Sequence, residues 1–236
     1  MIDIHCHILP GIDDGPKTMD ESVSMARMAV EDGVTDIVAT PHINFELTDP
    51  ARIQTMVSEL NSRLEEESIS LKVHAGADVS AVIDPALVGA YTVNGSRYVL
   101  LEFPYGRIPA SARATVFRFA SSGLRPIITH PERNWSVISN PALVLELIES
   151  GALVQVTAGS ITGEFGPESE ACANRLLKDG YVHFIASDAH SPLRRKPLLS
   201  EAVGMAGKII GEIAALALVR DNPEAVLSDS NVHVNL

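Results

Sequence analysis

Nine imidazole and carboxylate side chains stand at or just beyond the ends of short apolar runs: His5, His7, Asp14, His42, Asp78, Glu102, His130, Asp188 and His190. A lone histidine after a strand is more often a hydrogen-bonded structural residue than a ligand. His5-Cys6-His7 is a stronger signal, because alternate residues of a strand face one side and can grip one ion. Asp188-Ala189-His190 repeats that spacing with a harder ligand. Structural need alone does not explain such residues after six of seven runs, so the pattern reads as a metal centre. Imidazole with carboxylate and no thiolate suits catalytic manganese, iron or zinc better than structural zinc. Cys6, between two ligands, should point away from them and pack into the barrel wall or the surrounding helix layer. His74 and His183 fall early in their runs and His233 in a tail, so none joins the set.

The elements that must position these residues are apolar runs alternating with amphipathic stretches. The runs are Ile2–Cys6, Asp36–Thr40, Lys72–Ala77, Tyr98–Phe103, Arg125–Thr129, Ala152–Val156 and Val182–Ala186. Helix starts are marked by a capping box at Thr18-Met19-Asp20-Glu21 and by Asp49-Pro50 and Asn140-Pro141, each a cap before proline. Seven strand–helix units in alternation predict an α/β fold of parallel strands with helical crossovers. An open doubly wound sheet is the competing architecture, but the glycine-rich phosphate turn of its nucleotide-binding form is absent. Polar residues gathered at the C-terminal ends of strands favour a barrel, where such enzymes keep their active sites.

Composition sets the outer bounds. The chain has 236 residues, 46% hydrophobic and 20% charged, with no repeat or linker-like stretch, and reads as one globular domain over residues 1–236. Its start lacks a basic segment followed by an apolar one, so no secretory signal is expected. The apolar tract Ile209–Val219 contains Glu212, is too short to span a bilayer, and reads as a buried helix. Cys6 and Cys172 make no disulfide framework, which fits a reducing cytoplasm. A formal charge of −12 argues against a nucleic-acid partner.

The opening Ile2-Asp3-Ile4-His5-Cys6-His7-Ile8-Leu9-Pro10-Gly11-Ile12-Asp13-Asp14-Gly15-Pro16 resembles the polymerase and histidinol phosphatase (PHP) superfamily. More closely it is similar to that superfamily's bacterial protein-tyrosine phosphatases of capsule and exopolysaccharide assembly. Ala39-Thr40-Pro41-His42, Leu101-Glu102-Phe103-Pro104, Thr129-His130-Pro131-Glu132-Arg133 and Ser187-Asp188-Ala189-His190 carry the resemblance to about residue 200. It implies a distorted TIM-like (β/α)7 barrel and three divalent ions, with manganese first and iron or zinc as alternatives. One ion would be held by His5, His7 and Asp188, and a second by Glu102 and His130, with Asp78 bridging the two. The third would use Asp14, His42 and His190, while Arg133 and Arg195 would hold the substrate phosphate. The bridging position is usually Glu in the family, and here it is Asp78.

Four ligand carboxylates against three divalent ions leave a pocket of about +2 before either arginine is counted, so an acidic chain can hold a phosphate dianion. The implied reaction is hydrolysis of phosphotyrosine by metal-activated hydroxide. A cysteine-dependent phosphatase would need Cys-x5-Arg, but Ile12 and Lys178 stand six residues after Cys6 and Cys172. No Asp-x-Asp-x-Thr stretch supports an aspartyl-phosphate route. The alternatives are a PHP phosphatase of a small metabolite such as histidinol phosphate, a non-catalytic PHP regulatory module, and a metal-dependent amidohydrolase. The complete ligand set and the two arginines weigh against the last two. The partner that the resemblance implies is a phosphotyrosine protein, a bacterial membrane tyrosine kinase, with no direct insertion of this chain into the membrane.

Overall fold

Alternate residues along the strands divide the core into two layers, and that division places the site. A computed structural model describes residues 1–44 and 48–232. Its strands are β1 (Ile2–Cys6), β2 (Asp36–Ala39), β3 (His42–Ile43), β4 (Lys72–Ala75), β5 (Asp78–Ser80), β6 (Tyr98–Glu102), β7 (Arg125–Thr129), β8 (Leu153–Thr157) and β9 (Phe184–Ala186). Ile2, Ile4, Val38, Leu100, Ile127, Leu153 and Phe184 form the inner cluster. Their neighbours Ile37, Val99, Leu101, Ile128, Val154 and Ile185 pack outward into a second, larger cluster with the helices.

The helices are α1 (Met19–Glu31), α2 (Pro50–Glu66), α3 (Ala112–Ser121), α4 (Trp135–Ser139), α5 (Ala142–Glu149), α6 (Ala158–Ile161), α7 (Pro167–Lys178), α8 (Ser200–Ile210), α9 (Glu212–Ala217) and α10 (Asp221–Leu227). Every strand pairing is parallel, in the orders β1-β2-β4 and β3-β5-β6-β7-β8-β9. A parallel bridge between Cys6 and Ala189 joins the two ends, helped by Asp188 N donating to His5 O at 2.8 Å and His7 N to Ala189 O at 2.8 Å. Asp3 reinforces the seam by accepting from Ser187 N at 3.0 Å and Ser187 Oγ at 2.5 Å. The result is a distorted (β/α)7 barrel.

The expected seven runs become nine strands because two are interrupted. Pro41, which has no N–H, separates β2 from β3. Gly76 and Ala77 separate β4 from β5, yet Gly76 N donates to Ala39 O at 3.0 Å and Asp78 N to Pro41 O at 3.1 Å, so pairing carries across. Strict alternation also fails once: β5 passes to β6 through 3-10 turns at Pro85–Leu87, Gly89–Tyr91 and Val93–Gly95, without an α-helix.

Two helix expectations hold and two are corrected. Thr18 caps α1, accepting from Glu21 N at 3.3 Å, and Asp49 caps α2, accepting from Ala51 N at 2.9 Å. Asn140 does not cap α5 with its side chain; its carbonyl accepts from Leu143 N at 3.1 Å while the residue ends α4. The tract Ile209–Val219 is not a buried helix. Gly211, at φ 89°, breaks it between α8 and α9, and Ile213 is 84% exposed. No helix among the described residues is long and apolar enough to cross a membrane.

Candidate metal centre

The site begins with a fault in β1. Its register against β2 shifts between Asp3 and Cys6, where three steps along β1 match two along β2. Ile4 faces the inner cluster, and the extra residue turns His5 inward directly above it. Cys6 then faces the outer core and His7 faces inward again. Cys6 is fully buried, and burial holds its thiol well above its ordinary pKa.

At this rim His5 Nε2 lies 3.3 Å from His7 Nε2 and 3.4 Å from Asp188 Oδ1, while His7 Nε2 is 3.5 Å from the same oxygen. The other ring nitrogens are committed elsewhere. His5 Nδ1 is 3.0 Å from Gln155 Oε1 and His7 Nδ1 is 2.6 Å from Asp13 Oδ2, so both Nδ1 atoms donate. Two Nε2 atoms and a carboxylate oxygen therefore converge on one point, an arrangement that a cation at its centre would satisfy.

Two further groups adjoin it. His42 Nδ1 is 3.5 Å from Asp78 Oδ2 and 3.7 Å from Glu102 Oε2, and His130 Nε2 is 3.5 Å from Glu102 Oε1. His190 Nε2 is 3.3 Å from Asp14 Oδ1, with His42 Nε2 3.7 Å from that oxygen. Among the described residues, the sets able to close on an ion are His5-His7-Asp188, His42-Asp78-Glu102 and His7-Asp14-His42-His190. All nine residues singled out in the sequence are thus together. The structure differs in the neighbours: His42 stands beside Asp78 and Glu102, and His7 joins the third group. Asp78 Oδ2 and His190 Nε2 are buried with no hydrogen-bond partner among the described residues. Orphaned buried acceptors are what an ion would satisfy, so the residues fit a metal.

Burial opposes a charge on His7, but its bond to Asp13, its contact with Asp188 and the charges of both lift its pKa to about 10. Burial also opposes ionisation of Asp78, yet its contact with His42 and the surrounding imidazoles hold it at about 2. Burial lowers His130 to about 3, and burial with the charge of His7 lowers His190 to about 4. Glu102 rises to about 7 through burial and the negative charge of Asp78.

Arg133 and Arg195 both reach the centre, where each donates to Asp188 Oδ2, at 2.6 and 2.5 Å. His130, Asp188 and Arg195 all have left-handed backbone, with φ of 36°, 51° and 51°, and the first two follow strand ends. Such turns fold each side chain back over the barrel mouth. Asn134 binds the neighbouring loop, donating to Pro104 O at 2.9 Å and Tyr105 O at 3.2 Å. Glu132 is buried and accepts from Ser160 Oγ at 2.6 Å and Thr157 N at 3.0 Å, so it anchors the turn after β8. His74 instead meets Asp36 at 2.9 Å, His183 accepts from Val154 N at 3.2 Å, and His233 lies outside the described residues.

Residues 1–228 match the family described as "Capsular polysaccharide synthesis, CpsB/CapC". The chain belongs to that family. It is 37% identical to the tyrosine-protein phosphatase YwqE of Bacillus subtilis, over 98% of this chain and 93% of that protein. It is 30% identical to the tyrosine-protein phosphatase CpsB of Streptococcus pneumoniae, over 97% and 99%. Among solved structures, one from the work on YwqE and CpsB, called there unique metal-dependent tyrosine phosphatases, superposes with a TM-score of 0.94. That match has 36% identity and covers 100% of this chain and 97% of the other. Histidinol phosphate phosphatase of Lactococcus lactis matches at TM-score 0.56 with 13% identity, over 90% and 93%, a likeness of fold alone.

Proposed function

We propose that residues 1–236 form one PHP-type domain that hydrolyses phosphotyrosine, with three divalent ions held by His5, His7, Asp14, His42, Asp78, Glu102, His130, Asp188 and His190. Manganese is the first expectation for those ions, because several imidazoles favour a transition metal over magnesium; iron and zinc are the alternatives. The observation that carries this reading is the convergence of His5 Nε2, His7 Nε2 and Asp188 Oδ1 at 3.3 to 3.5 Å, with both Nδ1 protons committed to Gln155 and Asp13. Divalent ions held by these residues would lower the pKa of a bound water toward neutrality and offset charge on the phosphoryl oxygens.

The chain's own residues do the remaining work. Gln155 and Asp13 fix the tautomers of His5 and His7. Arg133 and Arg195 bind phosphoryl oxygens; their meeting on Asp188 Oδ2 brings two guanidiniums to one place at the centre, where both can reach a phosphate. A phenolate leaving group has a conjugate acid of pKa ~10, which makes a dedicated general acid less necessary than for an alkoxide.

The substrate of this reading is a phosphotyrosine-bearing protein, specifically a bacterial membrane tyrosine kinase governing capsule or exopolysaccharide synthesis. The family's description supports the capsule setting and the relatives' names the phosphotyrosine substrate. A cytoplasmic setting fits two cysteines that are both free and buried. Parallel assay of a phosphotyrosyl tail peptide and histidinol phosphate tests the substrate class. The peptide is expected to be turned over with the higher kcat/KM, and a preference for histidinol phosphate would move the assignment to metabolite hydrolysis.

A further inference from the structure

We propose that Phe165 is a positioning residue that holds Arg133 and Arg195 ready for the substrate phosphate. The proposal rests on the role given above to the two arginines. They arrive from distant parts of the chain, Arg133 from the 3-10 turn Pro131–Arg133 after β7 and Arg195 from the loop after β9. Their guanidiniums nevertheless share one aromatic ring: Arg133 Cζ lies 4.1 Å and Arg195 Cζ 5.9 Å from the centroid of Phe165. Both distances fall within reach of the attraction between a cation and a ring face.

Phe165 comes from the loop between α6 and α7, which follows β8. That strand supplies none of the nine proposed ligands, and in this reading its loop supplies the platform for the clamp. The ring is held in place. A Cβ at Gly159 would meet it at 2.8 Å, so glycine there permits the close approach. The adjacent Glu164 donates its N–H to Gly159 O at 2.8 Å and accepts from Arg195 N through Oε1 at 3.3 Å. One short segment thus binds both the backbone and the guanidinium of Arg195.

A free arginine side chain loses much rotamer freedom when it grips an anion, and stacking removes part of that loss beforehand. Arg195 Nη2 donates to Asp188, while Nε is buried without an acceptor among the described residues. A phosphate oxygen beside Nη2 and Nε would complete a paired contact.

The test compares the metal-loaded parent with F165Y, F165L and F165A by metal content, inhibition by inorganic phosphate, and kcat and KM on a phosphotyrosyl peptide. F165L retains apolar bulk without a ring face, and F165Y retains the face. The expected result is parental metal content throughout, with phosphate inhibition and peptide KM weakened roughly 3- to 30-fold in F165L and F165A, the range of a guanidinium–ring contact. F165Y should stay near the parent, and F165L should cost little more once R133A and R195A are both present, since Phe165 acts through those two guanidiniums. Parental phosphate inhibition and KM in F165L, or a loss that follows metal content, would overturn the role of Phe165 even if R133A is impaired. If R133A and R195A themselves left phosphate inhibition unchanged, the reading of the arginines would fall, and this proposal with it.

Discussion

Asp13 and Gln155 decide which nitrogen of His7 and of His5 faces the centre, and neither belongs to the ligand set read from the sequence. Asp13 Oδ2 also accepts from His42 N at 3.2 Å, so one carboxylate orients two of the proposed ligand residues. Asp13→Ala and Gln155→Ala are each expected to lower metal affinity or turnover by roughly 10- to 100-fold, measured by metal titration and initial rates. Unchanged values in both would show that the tautomers are fixed another way. Within Asp13-Asp14 the sequence does not say which carboxylate is buried against His7 and which meets His42 and His190 while staying 62% exposed. Gln155 had a usable signal, since period two along β8 puts it on the inward face with Leu153. An amide is not a metal ligand of the expected kind, so residue type alone does not single it out. Asp78 was legible as a site residue, and its side chain is fully buried in the centre. Asp78→Ala should lose most activity, whereas Asp78→Glu should bind metal at least as well as the parent. Full metal content and parental rate in the alanine variant would remove Asp78 from the site. Cys6→Ser and Cys172→Ser should keep most turnover, because burial pushes both thiols up, Cys172 to about 12. Loss of activity in a folded, metal-loaded serine variant would return a thiolate to the mechanism.

At the level of elements, the parallel barrel was legible because the apolar runs are short, regularly spaced and followed by polar groups. What remained hidden depended on geometry without a compositional signature. The register fault in β1 that turns His5 inward follows from pairing with β2, and no residue in Ile2–Cys6 announces it. The end of β4 is similar. A Cβ at Gly76 would lie 2.6 Å from Val38 Cγ1, so glycine draws that strand end against β2 just before Asp78. This close approach fixes the strand end from which Asp78 projects. The tract Ile209–Val219 misled because hydropathy does not report where a chain turns. His183 gives a test of the barrel wall apart from the site. Burial lowers its pKa from 6.5 to about 4, and its Nδ1 accepts from Val154 N. A lowered folded pKa means that the unfolded chain binds the extra proton, so the stabilisation is present above about pH 6.5 and lost toward pH 4. The parent should therefore lose stability more steeply than His183→Asn across that window, by on the order of 1 kcal/mol per pH unit. Identical slopes in denaturant melts would contradict a neutral, accepting His183.

For the molecule as a whole, a formal charge of −12 coexists with a centre built to bind an anion. The two are compatible if the positive charge is supplied locally, by ions and by Arg133 and Arg195. A ligand that binds only the folded state raises its stability, so manganese should raise the Tm of metal-stripped protein and a chelator should reverse the rise. The barrel, the rim and the nine proposed ligands follow from the order of residues, while the meeting of the arginines on one carboxylate and one ring is visible only in the folded chain. The most direct test of the central claim is turnover of a phosphotyrosyl peptide by one preparation, followed with its metal content through chelation and stepwise return of Mn²⁺ or Mg²⁺. The account expects activity to vanish with the metal and to return with Mn²⁺, better than with Mg²⁺, as the sites fill. Undiminished turnover by protein shown to be free of metal would contradict it.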